Sequence, residues 1–175
     1  METIEMNTSD SAKTLTLFDQ CAGHQPAKFG VWEAPVFRLE LVKERTLSAP
    51  VITSPADVAA LLAGYLGRCD REHFVVVMLS AANQVIGIST VSVGSLTATI
   101  VNARETFKAA ILANARSIVV AHNHPSGNLE PSREDVAVSK GLADAGKLLD
   151  IPILDSLIIG HDGRYTSLVE RGLLN

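Results

Sequence analysis

"SIVVAHNH", residues 117–124, carries a short unbroken apolar run directly into two histidines. A run of four to eight such residues, rich in β-branched side chains and without polar alternation, marks a strand covered on both faces. Covering both faces takes helices above and below a sheet. This one segment therefore points the chain toward a layered α/β architecture.

The flanking segments agree. "SPADVAALLAGYL" offers Ser54 as an N-cap and Pro55 at the first helical position, followed by apolar residues at helical spacing. "NARETFKAAILANA" reads as a second helix, with Asn102 as its cap and Glu105 at the capping-box position. A third helix is expected from about Ser132 to Leu149. "VFRLELVKERTL" alternates Val36, Arg38 and Glu40 against Phe37, Leu39 and Leu41, which predicts a half-buried strand. "HFVVVMLSAANQVIGISTVSVG" predicts two strands joined by a turn around Ala82 to Gln84, and "SLTATIV" a further extended stretch. "IPILDSLIIG" and a short strand from Tyr165 follow the third helix, with "HDGR" between them as a hairpin turn. The alternation of helices and strands predicts an α/β fold, a mixed β-sheet flanked by helices. Residues 1–34 lack sustained periodicity and are expected to form a mobile N-terminal extension, leaving 35–175 as the folded domain.

Composition narrows the function classes. The 175 residues are 47% hydrophobic and 19% charged, the balance of a globular chain able to bury a core. A net charge of −4 argues against a surface built to neutralise phosphates, so no specific nucleic-acid partner is expected. No apolar run approaches the roughly 18 residues of a membrane span. The acidic, polar start "METIEMNTSDSAKTLTLFDQ" lacks the layout of a secretory signal. Cys21 and Cys69 have no Cys-x-x-Cys partner, which suits free thiols in a reducing cytoplasm.

The chemistry concentrates after the apolar run. Residues i and i+2 of a strand project to one face, so His122 and His124 point together at the strand's carboxyl end, where α/β folds place their sites. "PSGN" turns the chain, and Ser132 caps the next helix with Asp135 at its third position. At helical spacing Asp135 shares a face with Val138, Leu142 and Leu149, which turns its carboxylate toward the core. Two readings stand side by side. Asp135 completes a capping box with Ser132, or it joins the imidazoles around a cation that compensates its burial. Two histidine nitrogens and one carboxylate oxygen suit zinc, and three protein ligands leave a fourth position open, as in catalytic sites. Zinc there lowers the pKa of water and polarises a carbonyl.

His122-Asn123-His124, seven residues, Ser132, two residues and Asp135 match the JAMM motif, His-x-His-x7-Ser-x2-Asp, of MPN/JAB-domain metalloproteases. "AHNHPSGNLEPSREDV" resembles the RadC branch of that family more closely still. The resemblance spans about residues 36–175, including "EHFVVVMLSAANQVI", "SVGSL", "ARETFKAAILANA", "LDSLIIG" and "YTSLVERGLL". It implies the JAB/MPN fold, a cytidine-deaminase-like three-layer architecture. It also implies Zn2+ held by His122, His124 and Asp135, and hydrolysis of a peptide or isopeptide bond in a peptide or protein substrate. In such enzymes an upstream glutamate is the general base toward the attacking water. Glu72, in "REHFVVV", stands at the strand start that resembles the glutamate-bearing segment and is preferred here to Glu105. Ser132, by the same resemblance, donates to the oxyanion of the tetrahedral intermediate.

Three features depart from the RadC pattern. Ala103-Arg104-Glu105 replaces Pro-Arg-Glu, and Asp155-Ser156 replaces an Asp-His pair, which bears on any contact that histidine makes behind the ligands. Longer RadC proteins also carry an N-terminal helix-hairpin-helix region, which this chain is expected to be too short to hold. The letters His-Asn-His do not make an HNH nuclease, whose key residues spread over a longer ββα unit. A zinc deaminase would need His-x-Glu and Pro-Cys-x-x-Cys, neither of which occurs. The competing class is an interaction module or nucleic-acid-processing accessory that keeps the fold but has little hydrolytic activity.

Overall fold

The computed structural model describes residues 36, 38, 40–66, 69–94, 101–160 and 162–174. Along it run α1 (Pro55–Leu66), β1 (His73–Leu79), β2 (Val85–Val93), α2 (Ala103–Leu112), β3 (Ser117–Asn123), α3 (Arg133–Leu149), β4 (Ile153–Ile159) and β5 (Tyr165–Ser167). The strands form one five-stranded sheet in the order β2-β1-β3-β4-β5. Only β3 and β4 are parallel; the other neighbours are antiparallel. The sheet is mixed because α3 carries the chain from the end of β3 back across the sheet to the start of β4, whereas tight turns join β1 to β2 and β4 to β5.

β3 lies at the centre and every one of its residues is buried, as its continuous apolar run predicts. On one face α1 lays Val58, Ala59, Leu62 and Leu66 against Val75, Val77, Val119, Ala121 and Leu157. On the other, Phe107 and Ala110 of α2 and Leu142 of α3 cover Phe74, Val76, Ile118 and Val120. Burying each of these larger side chains contributes about 1.5–3 kcal/mol. Helices on both faces of the sheet give the three layers.

Local chemistry sets the element ends. Asn102 accepts the Glu105 amide at 3.1 Å to cap α2. Ser80 Oγ accepts the amides of Ala82 and Gln84 in the β1–β2 turn, where Asn83 takes a left-handed φ of 56°. Gly146 lets α3 approach the outgoing chain: a Cβ there would lie 2.7 Å from the Ile151 carbonyl oxygen and 3.2 Å from the Phe107 ring. Buried Asp155 ties β4 to the C-terminal turn, accepting the Ser167 hydroxyl at 2.6 Å and the Val169 amide at 3.2 Å.

Two expectations meet the structure differently, and others fall on residues outside the described ones. The described residues of the alternating segment 36–47 form no strand and are exposed. Alternation makes a strand only where a sheet edge accepts it, and here a single bridge, Val51 to Gln84, joins the sheet just beyond that segment. Leu149 is 44% exposed and lies off the buried face of α3, which is formed by Asp135, Ser139, Leu142, Ala143 and Gly146. "SLTATIV" falls, apart from Val101, outside the described residues, as do residues 1–34 and, in the "HDGR" segment, His161. The rest of that segment does turn β4 into β5, with the Gly160 amide donating to the Arg164 carbonyl at 2.8 Å.

Candidate metal centre

β1 runs antiparallel to β3 with Phe74 opposite His122. Strand parity then puts Glu72, Phe74 and Val76 on the same face as Val120 and His122, beneath α2 and α3. α3 begins just after the turn that follows His124, so its first turn sets Asp135 over that face. Glu72, His122, His124 and Asp135 thereby converge, with one ligand atom from each all lying within 4.8 Å of one another.

The spacing inside the cluster is graded. His122 Nε2 stands 3.0 Å from His124 Nε2 and 3.3 Å from Asp135 Oδ1. His124 Nε2 lies 3.6 Å from Asp135 Oδ2 and 3.8 Å from Glu72 Oε1. The side chains of His122 and Asp135 are only 2% and 3% exposed. Those of His124 and Glu72 are 15% and 20% exposed, so the cluster opens to solvent on their side.

Each ring is held. The Phe74 ring stacks on His122, centroids 6.3 Å apart. Nδ1 of His124 donates to the Asn128 carbonyl at 2.7 Å, which leaves its Nε2 facing the cluster with a free lone pair, as a metal would need. Asp135 takes both roles open to it. Its Oδ2 accepts the Ser132 amide at 2.7 Å, Ser132 Oγ accepts the Asp135 amide at 3.1 Å, and Oδ1 faces His122. The capping box is thus what aims the carboxylate.

Electrostatics follow from this crowding. Burial pushes the Asp135 carboxyl up, but hydrogen bonds from His122 and His124 outweigh it and hold the group well below the ordinary carboxylate range. The bond to Asp135 raises His124, burial works against it, and the Asn128 carbonyl adds to the rise. Imidazole and carboxylate lone pairs that meet at one point need a cation between them, a proton or a metal ion. The donor set of two nitrogens and carboxylate oxygens fits a divalent metal. The buried Nδ1 of His122 has no hydrogen-bond partner.

Among the other candidates, Glu105 lies outside this cluster. Its carboxylate pairs with Lys108 on the exposed side of α2 instead of closing a capping box. Ser156 is buried, its hydroxyl 2.8 Å from that of Ser139 on α3. Sequence reasoning missed the supporting groups: Phe74, the Asn128 carbonyl and Asn123. The available signal for Asn123 was a polar residue at the end of a strand otherwise buried throughout.

A mixed sheet between helical layers, with two histidines at the end of its central strand, an aspartate from the following helix and a glutamate just before the neighbouring strand, defines a JAB/MPN-type domain carrying a possible metal site. The profile described as RadC-like JAB domain matches residues 52–173, and the chain belongs to that family. It is 52% identical over 130 residues to a UPF0758 protein of Rubrobacter xylanophilus, covering 74% of this chain and 56% of that one. A UPF0758 protein of Desulfitobacterium hafniense is 51% identical over 133 residues, 76% and 58% of the respective chains. One of Moorella thermoacetica is 53% identical over 129 residues, 74% and 56%. The match thus spans little more than half the length of these relatives. Among the described residues no helix is long and apolar enough to cross a membrane.

Proposed function

We propose that this domain is a zinc-dependent peptidase of the JAMM type, hydrolysing a peptide or isopeptide bond of a protein substrate. The observation that carries the reading is Glu72. It sits 3.8 Å from His124 at the open edge of the cluster, beside the ligands and close enough to handle a water between them.

Zinc is the metal we assign, held by His122, His124 and Asp135. Ligand atoms bonded tetrahedrally to zinc at about 2.0–2.1 Å lie roughly 3.3 Å apart; the two histidine nitrogens stand 3.0 Å apart, and that of His122 lies 3.3 Å from Asp135 Oδ1. When bound, the ion would supply Lewis acidity toward a carbonyl and lower the pKa of water. The Glu72 carboxylate takes the proton of the attacking water and delivers it to the leaving amine. Asp135 supplies negative charge beside the cation and orients the two rings. The Ser132 hydroxyl accepts the Asp135 amide and still has its own proton to donate, which suits it to stabilise an oxyanion. A cytoplasmic location accords with the free Cys69 thiol.

One observation favours a second reading, an accessory module that binds metal but hydrolyses little. The buried Nδ1 of His122 lacks an acceptor, and Ser156, at the family's histidine position, turns its hydroxyl to Ser139. Three variants separate the readings, with zinc content and turnover measured on peptide and isopeptide substrates. Glu72→Gln is expected to keep about one zinc per chain and lose on the order of 10²-fold or more in turnover, because an amide accepts no proton. Asp135→Asn is expected to weaken zinc binding, and Glu105→Gln to cost about 0.3–0.5 kcal/mol of stability and nothing in turnover. A zinc-loaded wild type without turnover favours the accessory reading. Full activity in Glu72→Gln removes the proposed base.

A further inference from the structure

Asn123 sits between the two histidines, yet strand parity turns it to the opposite face, away from the cluster. It is 2% exposed. A buried carboxamide must spend its donor and acceptor on something, and what it spends them on is specific. Its Oδ1 accepts the His73 amide at 2.8 Å, and its Nδ2 donates to the Arg71 carbonyl at 3.0 Å. Those two groups belong to the residues on either side of Glu72. The β1–β3 ladder ends at the pair Phe74–His122, so at the next position a side chain takes over the contact between the two strands.

We infer that Asn123 is a positioning residue for Glu72: by holding both flanking peptide groups, it locks the glutamate to the strand that carries His122 and His124. The inference rests on the peptidase reading for its consequence, though not for its geometry. The Gly94 amide, donating to the Glu72 carbonyl at 2.8 Å, anchors the same peptide from β2. The Asn123 contacts tie it to the strand that carries the histidines. Without them, the segment before β1 would lose these two bonds to β3, and the Glu72 carboxylate would range more widely about His124. A short side chain with one donor edge and one acceptor edge is what the arrangement requires. Serine is too short to span both groups, and alanine offers neither.

The test uses the full chain, loaded with zinc, as wild type, Asn123→Ala and Asn123→Ser. The serine variant serves if alanine does not fold. In both variants, exchange of the His73 amide measured by NMR is expected to quicken about tenfold or more, while zinc stays at about one ion per chain. Crystal structures of the zinc-loaded variants are expected to show the Glu72 carboxylate displaced from its place beside His124. On a peptide or isopeptide substrate that wild type hydrolyses, kcat falls about tenfold with little change in KM. Combining Asn123→Ala with Glu72→Gln costs no more than Glu72→Gln alone, since the two act through one group. Unchanged His73 exchange with Glu72 in place overturns the inference. So does loss of zinc along with turnover, or additive losses in the double variant. If Glu72→Gln stays active Glu72 is not the base, and if the zinc-loaded wild type shows no turnover the peptidase reading fails; in either case the exchange rate and the Glu72 position alone decide the role of Asn123.

Discussion

Asp135 shows how much one side chain can settle. The capping-box reading and the metal-ligand reading look like rivals in the sequence, but the carboxylate has two oxygens and gives one to each. Capping holds the side chain in the rotamer that liganding needs. Ser132→Ala removes the acceptor for the Asp135 amide and is expected to cost about 1 kcal/mol in urea unfolding. Zinc stoichiometry should nevertheless hold, because the Ser132 backbone amide still grips Oδ2. Asp57 caps α1 in a related way, its Oδ2 accepting from the amides and hydroxyls of Thr53 and Ser54. Bonds from the Thr53 amide, the Thr53 hydroxyl and Ser54 hold this carboxyl below its ordinary 3.8. A folded-state pKa lowered in this way stabilises the fold above pH 3.8, and the contribution is lost as pH falls through the folded value. The Tm difference between wild type and Asp57→Asn is therefore expected to be largest near neutral pH and to shrink in acid. A constant difference across that range would remove this role from Asp57.

At the scale of elements, the site depends on how closely α3 packs. α3 brings Asp135 over β3 at its first turn and passes Phe107 and the Ile151 carbonyl near its last, where only Gly146 fits. Gly146→Ala forces a Cβ into space already held by backbone and is expected to destabilise by roughly 1–3 kcal/mol. If α3 moves as a rigid rod, zinc affinity falls with stability although the substitution lies about three turns from Asp135. Denaturant unfolding and a competitive zinc titration on the same variant check both effects. Loss of stability with unchanged affinity would mean that the strain is absorbed locally at the helix end. β2 and β1 contribute differently. Their pairing, with Val93 opposite His73, sets where Glu72 lies at the start of β1, so the placement of Glu72 depends on strand register and that of Asp135 on helix packing.

For the whole molecule, charge is the relevant quantity. A chain of net charge −4 has little to gain from releasing counterions along a nucleic-acid backbone. Titration against duplex DNA at near-physiological salt is expected to show no specific complex. A salt-sensitive complex of sub-micromolar affinity would instead promote the accessory reading. The relatives extend well beyond the matched region.

Periodicity and spacing were enough to identify the buried strand, the three helices and the caps at Asn102 and Ser132, and to single out His122, His124 and Asp135, which the fold brings together. All of these are short-range: a face is defined within an element, and the two ligand-bearing elements are separated by one turn. The same reasoning failed at segment 36–47, whose alternation was genuine but found no sheet edge to complete it. It also left Glu72 and Glu105 open, favoured a capping role for a Glu105 side chain that pairs with Lys108, and passed over Asn123. Those matters turn on which distant segments pair and in what register. A residue's periodicity says which way its side chain faces, while only packing across the whole chain decides what it faces. The antiparallel seating of β1 on β3, far apart in sequence, is what brings Glu72 to His122, His124 and Asp135 and gives Asn123 its two peptide groups to hold.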